Sequence, residues 1–392
     1  MLSPEKFKAV VSGQAQGCTP AILRSLLAAA SVSWSAIVST RNSLYDAGFL
    51  RVHSVDIPVV SVGNLTLGGT GKTPMVAWLA KYFMSRGRCP GIVSRGYKAS
   101  NVTESDCKSC VSDSNLQGNF QDNSQDNRFD RFRKYNDEAR ELDLLLGGQV
   151  PQFLCPDRVK AAKALMAFDP TCDLLILDDA FQHRRMGRTV DIVLLDALDP
   201  FGGERMFPRG FLRESICSLR RADIVLLSRA DLIDKETAQR IKERVLKIAP
   251  QVQFGQIAHR PVAVRSLQGN IQTFDSWQKE RKESESFYAF CGIGNPEGFF
   301  QGLTREKIPL AGRRILPDHC QYTRELLEEL SQEADSCHAV GMLTTLKDFV
   351  KIDKLAHKSN LVFAIEIGID LIEGEEDFVE RLDSMTGLTY SK

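Results

Sequence analysis

The chain has no surplus of either charge: 50 Lys and Arg are matched by 50 Asp and Glu over 392 residues. A balanced chain raises no long-range field to gather nucleic acid, so no nucleic-acid partner is expected. Cysteine is too thinly spread, ten residues from Cys18 to Cys337, for a small disulfide scaffold. That usage suits a reducing compartment. Cys107 and Cys110 form one CxxC, but no second pair stands at a spacing that would complete a structural zinc set. No internal repeat occurs. Acidic residues are missing altogether between Glu5 and Asp46, where Lys6, Lys8, Arg24 and Arg41 stand among frequent Ser and Ala. This is the composition of a mitochondrial or plastid transit peptide.

What is present begins with an apolar run, Pro20–Val38, interrupted by Arg24. Its uncharged remainder, Ser25–Thr40, is short for a transmembrane span. A helix lying in a membrane interface and a helix buried in a core both fit it. From Asp56 onward, strands alternate with helices. Ile57–Asn64, Cys172–Asp179, Asp191–Ala197 and Ala222–Asp231 are continuous apolar runs, as in a parallel sheet covered on both faces. Helices are expected over Gly71–Ser85, Asp137 to about Leu146, Pro156–Phe168 and Lys235–Ile248. A second βα series starts at Phe287. The fold class predicted is α/β: a P-loop NTPase-like, mainly parallel sheet domain with a smaller C-terminal α/β domain. The expected boundaries are 1–50 for a targeting segment and membrane-associating helix, and 51–255 for the P-loop domain. Residues 256–286 are read as a connector and 287–392 as the C-terminal domain. Within the P-loop domain, about 99–134 is rich in Ser, Asn, Asp and Gln and reads as a disordered insertion.

The strongest chemical signal is Thr66-Leu67-Gly68-Gly69-Thr70-Gly71-Lys72-Thr73, between a strand and a helix. Backbone N–H groups there can cradle the phosphates of ATP, Lys72 can reach the outer ones, and the Thr73 hydroxyl can ligate Mg²⁺. The strict GxxxxGK[ST] template fails at Thr66, where glycine belongs; Gly68 and Gly69 are expected to supply the flexibility. Asp178 and Asp179 close a buried strand and match a Walker-B-like role toward Mg²⁺. Arg205, Arg209, Arg213, Arg220 and Arg221 offer guanidinium forks for phosphate. Ser228-Arg229-Ala230-Asp231 ends a strand where P-loop proteins often read the base, with Arg in place of the usual Lys. These features together predict a phosphotransferase acting on a small acceptor hydroxyl.

Taken together, SVGNLTLGGTGKTP, IVSRGYK, NDEA, LDDAFQHRRM, FPRGFLRE, RRADIVLLSRAD, FCGIGNPEGF, PDHCQYT and TTLKD resemble one family, the tetraacyldisaccharide 4′-kinases. The resemblance covers roughly residues 20–370. It implies ATP-dependent phosphorylation of the 4′-hydroxyl of an acylated glucosamine disaccharide 1-phosphate, in lipid A biosynthesis. It also implies peripheral attachment to a membrane surface through an N-terminal helix, here on an inner mitochondrial membrane face. By the same resemblance Asp137 is the catalytic aspartate and His319 its partner, on separate domains whose closure would assemble them. Asp178, Asp179 and Glu214 are implied metal-organising carboxylates. Arg95, Tyr97, Gln182, His183 and Arg213 are implied active-site groups. The chain departs from the family at Ala180 and Asn136, commonly glycine, and at Ala139, commonly proline. A kinase for another glycolipid or polar metabolite, and a nucleotide switch without transfer, are the alternatives.

Overall fold

The computed structural model describes residues 4–96, 137–318, 320–352 and 361–387. The insertion, its CxxC, Tyr97, Asn136 and His319 lie outside the described residues. In chain order the first elements are α1 (Pro4–Ser12), α2 (Cys18–Asp46), β1 (Val59–Asn64), α3 (Lys72–Ser85), β2 (Pro90–Ser94) and α4 (Asp137–Leu145). Then come β3 (Gln152–Leu154), α5 (Arg158–Phe168), β4 (Leu174–Asp178), β5 (Val190–Asp196), β6 (Ile224–Ser228), α6 (Lys235–Ile248) and β7 (Gln253–Ser266). The remainder is β8 (Ile271–Thr273), α7 (Phe274–Glu280), β9 (Phe287–Cys291), α8 (Pro296–Arg305) and β10 (Leu310–Ile315), then α9 (Arg324–Ser336), β11 (Met342–Thr345), α10 (Leu346–Ile352), β12 (Val362–Glu373) and α11 (Glu375–Thr386).

Two compact units result. The first comprises Met1–Arg128, Val150–Ala258 and Asp370–Lys392. Its strands run parallel in the order β7-β6-β5-β1-β4-β2-β3. β1, β4 and β6 are buried along their whole length, which explains their unbroken apolar sequence. Val193, Leu195, Val225 and Leu227 share a core with Ala238, Ile241 and Val245 of α6. The chain leaves β1 toward β2 on one side and crosses from β4 to β5 on the other. The carboxyl ends of β1, β4 and β5 therefore flank a topological switch point, where open α/β sheets place ligands.

The α2 helix runs 29 residues, and only Ser31 and Val38 are buried in it. That removes the core-helix alternative. By length and composition it could also cross a membrane. α5 starts at Arg158 rather than Pro156, because the Asp157 carboxylate caps it by accepting from the Val159 and Lys160 amides.

The second unit comprises Phe129–Gln149 and His259–Ile369. Its parallel strands follow the order β10-β9-β11-β12, and β8 pairs antiparallel with the later half of β7. Ala289, Cys291, Phe300, Leu303, Leu343 and Ile365 form its core. These units revise the expected boundaries. The segment that opens with Asp137 belongs here, because α4 packs on α10 and the Arg265 guanidinium joins the Leu144 carbonyl (3.0 Å) to Glu366 (2.7 Å). Asp137 and the residues flanking position 319 thus share one unit instead of two. The expected connector holds most of β7, plus β8 and α7, whose Phe274 and Trp277 are core residues. The C-terminal helix α11 returns to the first unit, where Phe378 meets Trp78 with ring centroids 5.6 Å apart.

Candidate active site

The phosphate loop is built by backbone geometry. Gly71 (φ 85°) lies in the left-handed region and caps α3, and Gly68 (φ 130°) opens the turn before it. Lys72 is the first helical residue, at the positive end of the helix. Thr66 does not take a positive φ; it forms a lone antiparallel bridge with Leu212. On either side the Leu67 amide donates to the Phe211 carbonyl, and the Arg213 amide to that of Leu65, both at 2.7 Å. An extended, paired residue has no need to be glycine, which accounts for the departure from the template.

The carboxylates follow β4. Asp178 is buried. Asp179 adopts φ 48°, rare for a side chain outside turns, and it is held there by cations. Lys72 Nζ stands 3.5 Å from its Oδ1, and Arg213 Nη1 donates to both of its oxygens at 2.8 and 3.0 Å. Burial alone would raise the Asp179 carboxyl, but Lys72 and Arg213 together hold it below the usual carboxylate range. The net continues through side chains: Gln182 Nε2 donates to the Asn64 carbonyl (2.8 Å), and Asn64 Nδ2 to the Thr70 hydroxyl (3.1 Å). Ala180, the departure from glycine, is fully buried and lies outside the left-handed region, so a methyl fits there. Burial pushes His183 down to about 4, with Arg158 and Arg188 adding to the shift. The imidazole is neutral at physiological pH.

Sequence reasoning missed two of the charged groups and gave a third another role. Arg158 is buried at the start of α5 and feels both Asp179 and Asp178; beside Asp157, Lys160 and Lys163, nothing in the sequence set it apart. Asp196, at the end of β5, pairs with Arg229, which also donates to the Gly69 carbonyl at 3.2 Å. Arg229 itself was noticed as a base reader, yet its guanidinium braces the phosphate loop.

The first unit brings together Thr66–Thr73, Asp178, Asp179, Gln182, His183 and Arg213 at one sheet edge. Arg95 follows β2 at the same edge and is exposed. Glu214 is different: it is fully buried, and Arg41, Asn42 and Arg221 occupy its oxygens at 3.0, 3.2 and 2.7 Å. In the second unit Asp137 begins α4. There the Cys320 amide closes a turn on the Pro317 carbonyl (2.9 Å), and Asp318 pairs with Lys347 at 3.6 Å. Among the described residues no cluster of three or more His, Cys, Asp or Glu forms a ready metal cage. A hydroxyl and two carboxylates, Thr73, Asp178 and Asp179, still form the sparse all-oxygen set that suits Mg²⁺ held partly by phosphates and water.

The family profile described as LpxK, Tetraacyldisaccharide-1-P 4′-kinase, matches residues 23–386. The tetraacyldisaccharide 4′-kinase of Pelodictyon phaeoclathratiforme is 33% identical over 368 residues, covering 90% of this chain and 94% of its own. That of Halothermothrix orenii is 32% identical over 348 residues, 86% of each chain. The crystal structure of "apo" form LpxK from Aquifex aeolicus in complex with ATP superposes with a TM-score of 0.67 at 27% identity, covering 93% of this chain and 99% of that one. With its phosphate loop, its carboxylate turn and most of both units inside the matched span, the chain belongs to the tetraacyldisaccharide 4′-kinase family.

Proposed function

We propose that the chain moves the γ-phosphoryl group of Mg-ATP onto the 4′-hydroxyl of a tetraacylated glucosamine disaccharide 1-phosphate, at a membrane surface. Family membership makes it an ATP-dependent tetraacyldisaccharide 4′-kinase. The observation that carries the finer reading is the Lys72–Asp179–Arg213 cluster at the carboxyl ends of β1 and β4. The loop amides and Lys72 grip the outer phosphates, and Arg213 offsets charge that spreads in transfer. Asp137 takes the proton of the attacking hydroxyl, and His319 orients it. Thr73, Asp178 and Asp179 are the residues that would hold Mg²⁺, which when bound neutralises phosphate charge.

The acid-free N-terminal stretch supports a mitochondrial location, and the exposed apolar face of α2 supports attachment to its membrane. Incubation with Mg-ATP and the tetraacyl disaccharide 1-phosphate should yield a product one phosphoryl group heavier by mass spectrometry, and the deacylated sugar should be a poor acceptor. Equal use of both sugars would point to a different acceptor.

A further inference from the structure

We propose that Glu214 is a brace rather than a metal ligand, and that Arg41 of α2 is a positioning residue for phosphoryl transfer. This rests on the kinase reading above. A magnesium ligand needs an oxygen that can reach the ion: Asp179, though paired, keeps 28% of its side chain exposed, whereas Glu214 keeps 1% and gives both oxygens to protein donors. Oε1 receives Arg41 Nη2 at 3.0 Å. Oε2 receives Asn42 Nδ2 at 3.2 Å and Arg221 Nη2 at 2.7 Å. Two of these three donors lie on α2, a helix otherwise mostly exposed.

Two physical links lead from Glu214 to the carboxylate turn. The next residue toward the N-terminus is Arg213, whose amide is pinned to Leu65 and whose guanidinium holds Asp179. Arg221 carries the second link: its guanidinium lies over the Phe181 ring, 4.6 Å from the centroid, two residues from Asp179. Asp179 sits in a backbone region it would not choose alone, so its place depends on what holds its neighbours. Removing Arg41 leaves a buried carboxylate short of a cation, and the Arg213 segment is free to shift. Shifts of this size, remote from the reacting atoms, cost turnover more than affinity.

The same contacts say which part of the N-terminus the working enzyme keeps. Ser31 donates to the Met206 carbonyl (2.9 Å), Trp34 packs edge-on to Phe207, and Arg184 reaches the Asn42 carbonyl and Asp46. α2 is therefore built into the first unit from Ser31 onward, and the working enzyme keeps that part of the helix.

The test compares Arg41→Ala, Arg41→Lys, Glu214→Gln and the Arg41→Ala/Glu214→Gln double variant in the full chain, with Mg²⁺ titrated. In Arg41→Ala the Arg221 guanidinium still pairs with Glu214 at 2.7 Å, so the unit should stay folded, and melting curves check this. The expected result is a kcat lower by about ten- to a hundredfold for Arg41→Ala and Glu214→Gln, with little change in KM for ATP. The double variant should be no worse than either single one, and Arg41→Lys should recover most of the loss. Excess Mg²⁺ should rescue none of them. Rescue of Glu214→Gln by Mg²⁺, or full activity in Arg41→Ala, overturns the proposal. If wild type transfers no phosphate to the disaccharide, the acceptor reading fails instead; the brace is then read from the rate of acceptor-independent ATP hydrolysis, which should fall in step in both single variants.

Discussion

At the scale of single residues, the site depends on environments more than on residue types. His183 shows this. Its pKa is about 4 in the fold against 6.5 for a free histidine, because burial and the arginines beside it disfavour the cation. Between those values the unfolded chain binds a proton that the folded chain refuses. Stability is therefore full above 6.5 and falls as pH drops through the window toward 4. The melting temperature should decline over that interval, and His183→Gln, which cannot titrate, should flatten part of the slope. An identical slope in the variant would mean that other groups carry it. Asp179 acts in the same sense at lower pH: its pKa is also depressed, so the stability its ion pairs contribute is full at neutral and mildly acidic pH and is lost as pH falls through and below the ordinary carboxylate range.

Asp137 belongs to this scale too. As the proposed proton acceptor it should be needed for chemistry and not for nucleotide. Asp137→Asn keeps the shape of the helix start while removing the base. Turnover should fall by at least about a hundredfold, with ATP affinity within a factor of about two. A parallel loss of ATP binding would show that the residue is doing something else.

At the scale of elements, much of the site was readable because its parts are local. A glycine-rich turn between an apolar strand and a helix, and two aspartates ending another apolar strand, are signals contained in a dozen residues each. Thr66 could be understood only from its partner Leu212, more than a hundred positions away. The tie between α4 and the second unit was hidden for the same reason: it runs through Arg265 and α10. β7 read as a connector because its pattern changes midway. Its first half is buried on both faces, whereas its second half is partly exposed, so neither rule for strands describes the whole.

A close approach between β1 and the turn after β4 also makes a prediction. Gly63, in β1, has no room for a methyl: a Cβ there would lie 2.5 Å from Phe181 Cβ and 2.7 Å from its amide nitrogen. Backbone cannot yield as a flexible side chain would. Gly63→Ala should destabilise the first unit by about 1–3 kcal/mol and push the Asp178–Gln182 turn away from the phosphate loop. Melting temperature and turnover should fall together, the latter by more than the former explains. A variant as stable and active as wild type would place the tolerance of this contact far higher than its geometry allows.

At the scale of the whole molecule, α2 has two faces with different duties. With about 100° of turn per residue, Ile22, Leu26, Ile37 and Leu44 fall within about 60° of one another. All four are exposed, Ile22, Leu26 and Ile37 by 63, 64 and 63%. Ser31, Val38 and Asn42 lie on the opposite side, against the first unit. A soluble protein gains nothing by leaving such a stripe in water, whereas a membrane interface, as proposed, would cover it and bring an acylated acceptor close. The two duties can be separated by choosing residues from one face. Leu26→Ser/Ile37→Ser should weaken co-sedimentation with anionic phospholipid vesicles several-fold. The docked contacts would stay intact, so the melting temperature and turnover on detergent-dispersed acceptor should remain close to wild type. Turnover on acceptor embedded in vesicles should then fall in proportion to the bound fraction. Undiminished vesicle binding would mean that the stripe is covered by something other than lipid, and the attachment would have to be sought on another surface.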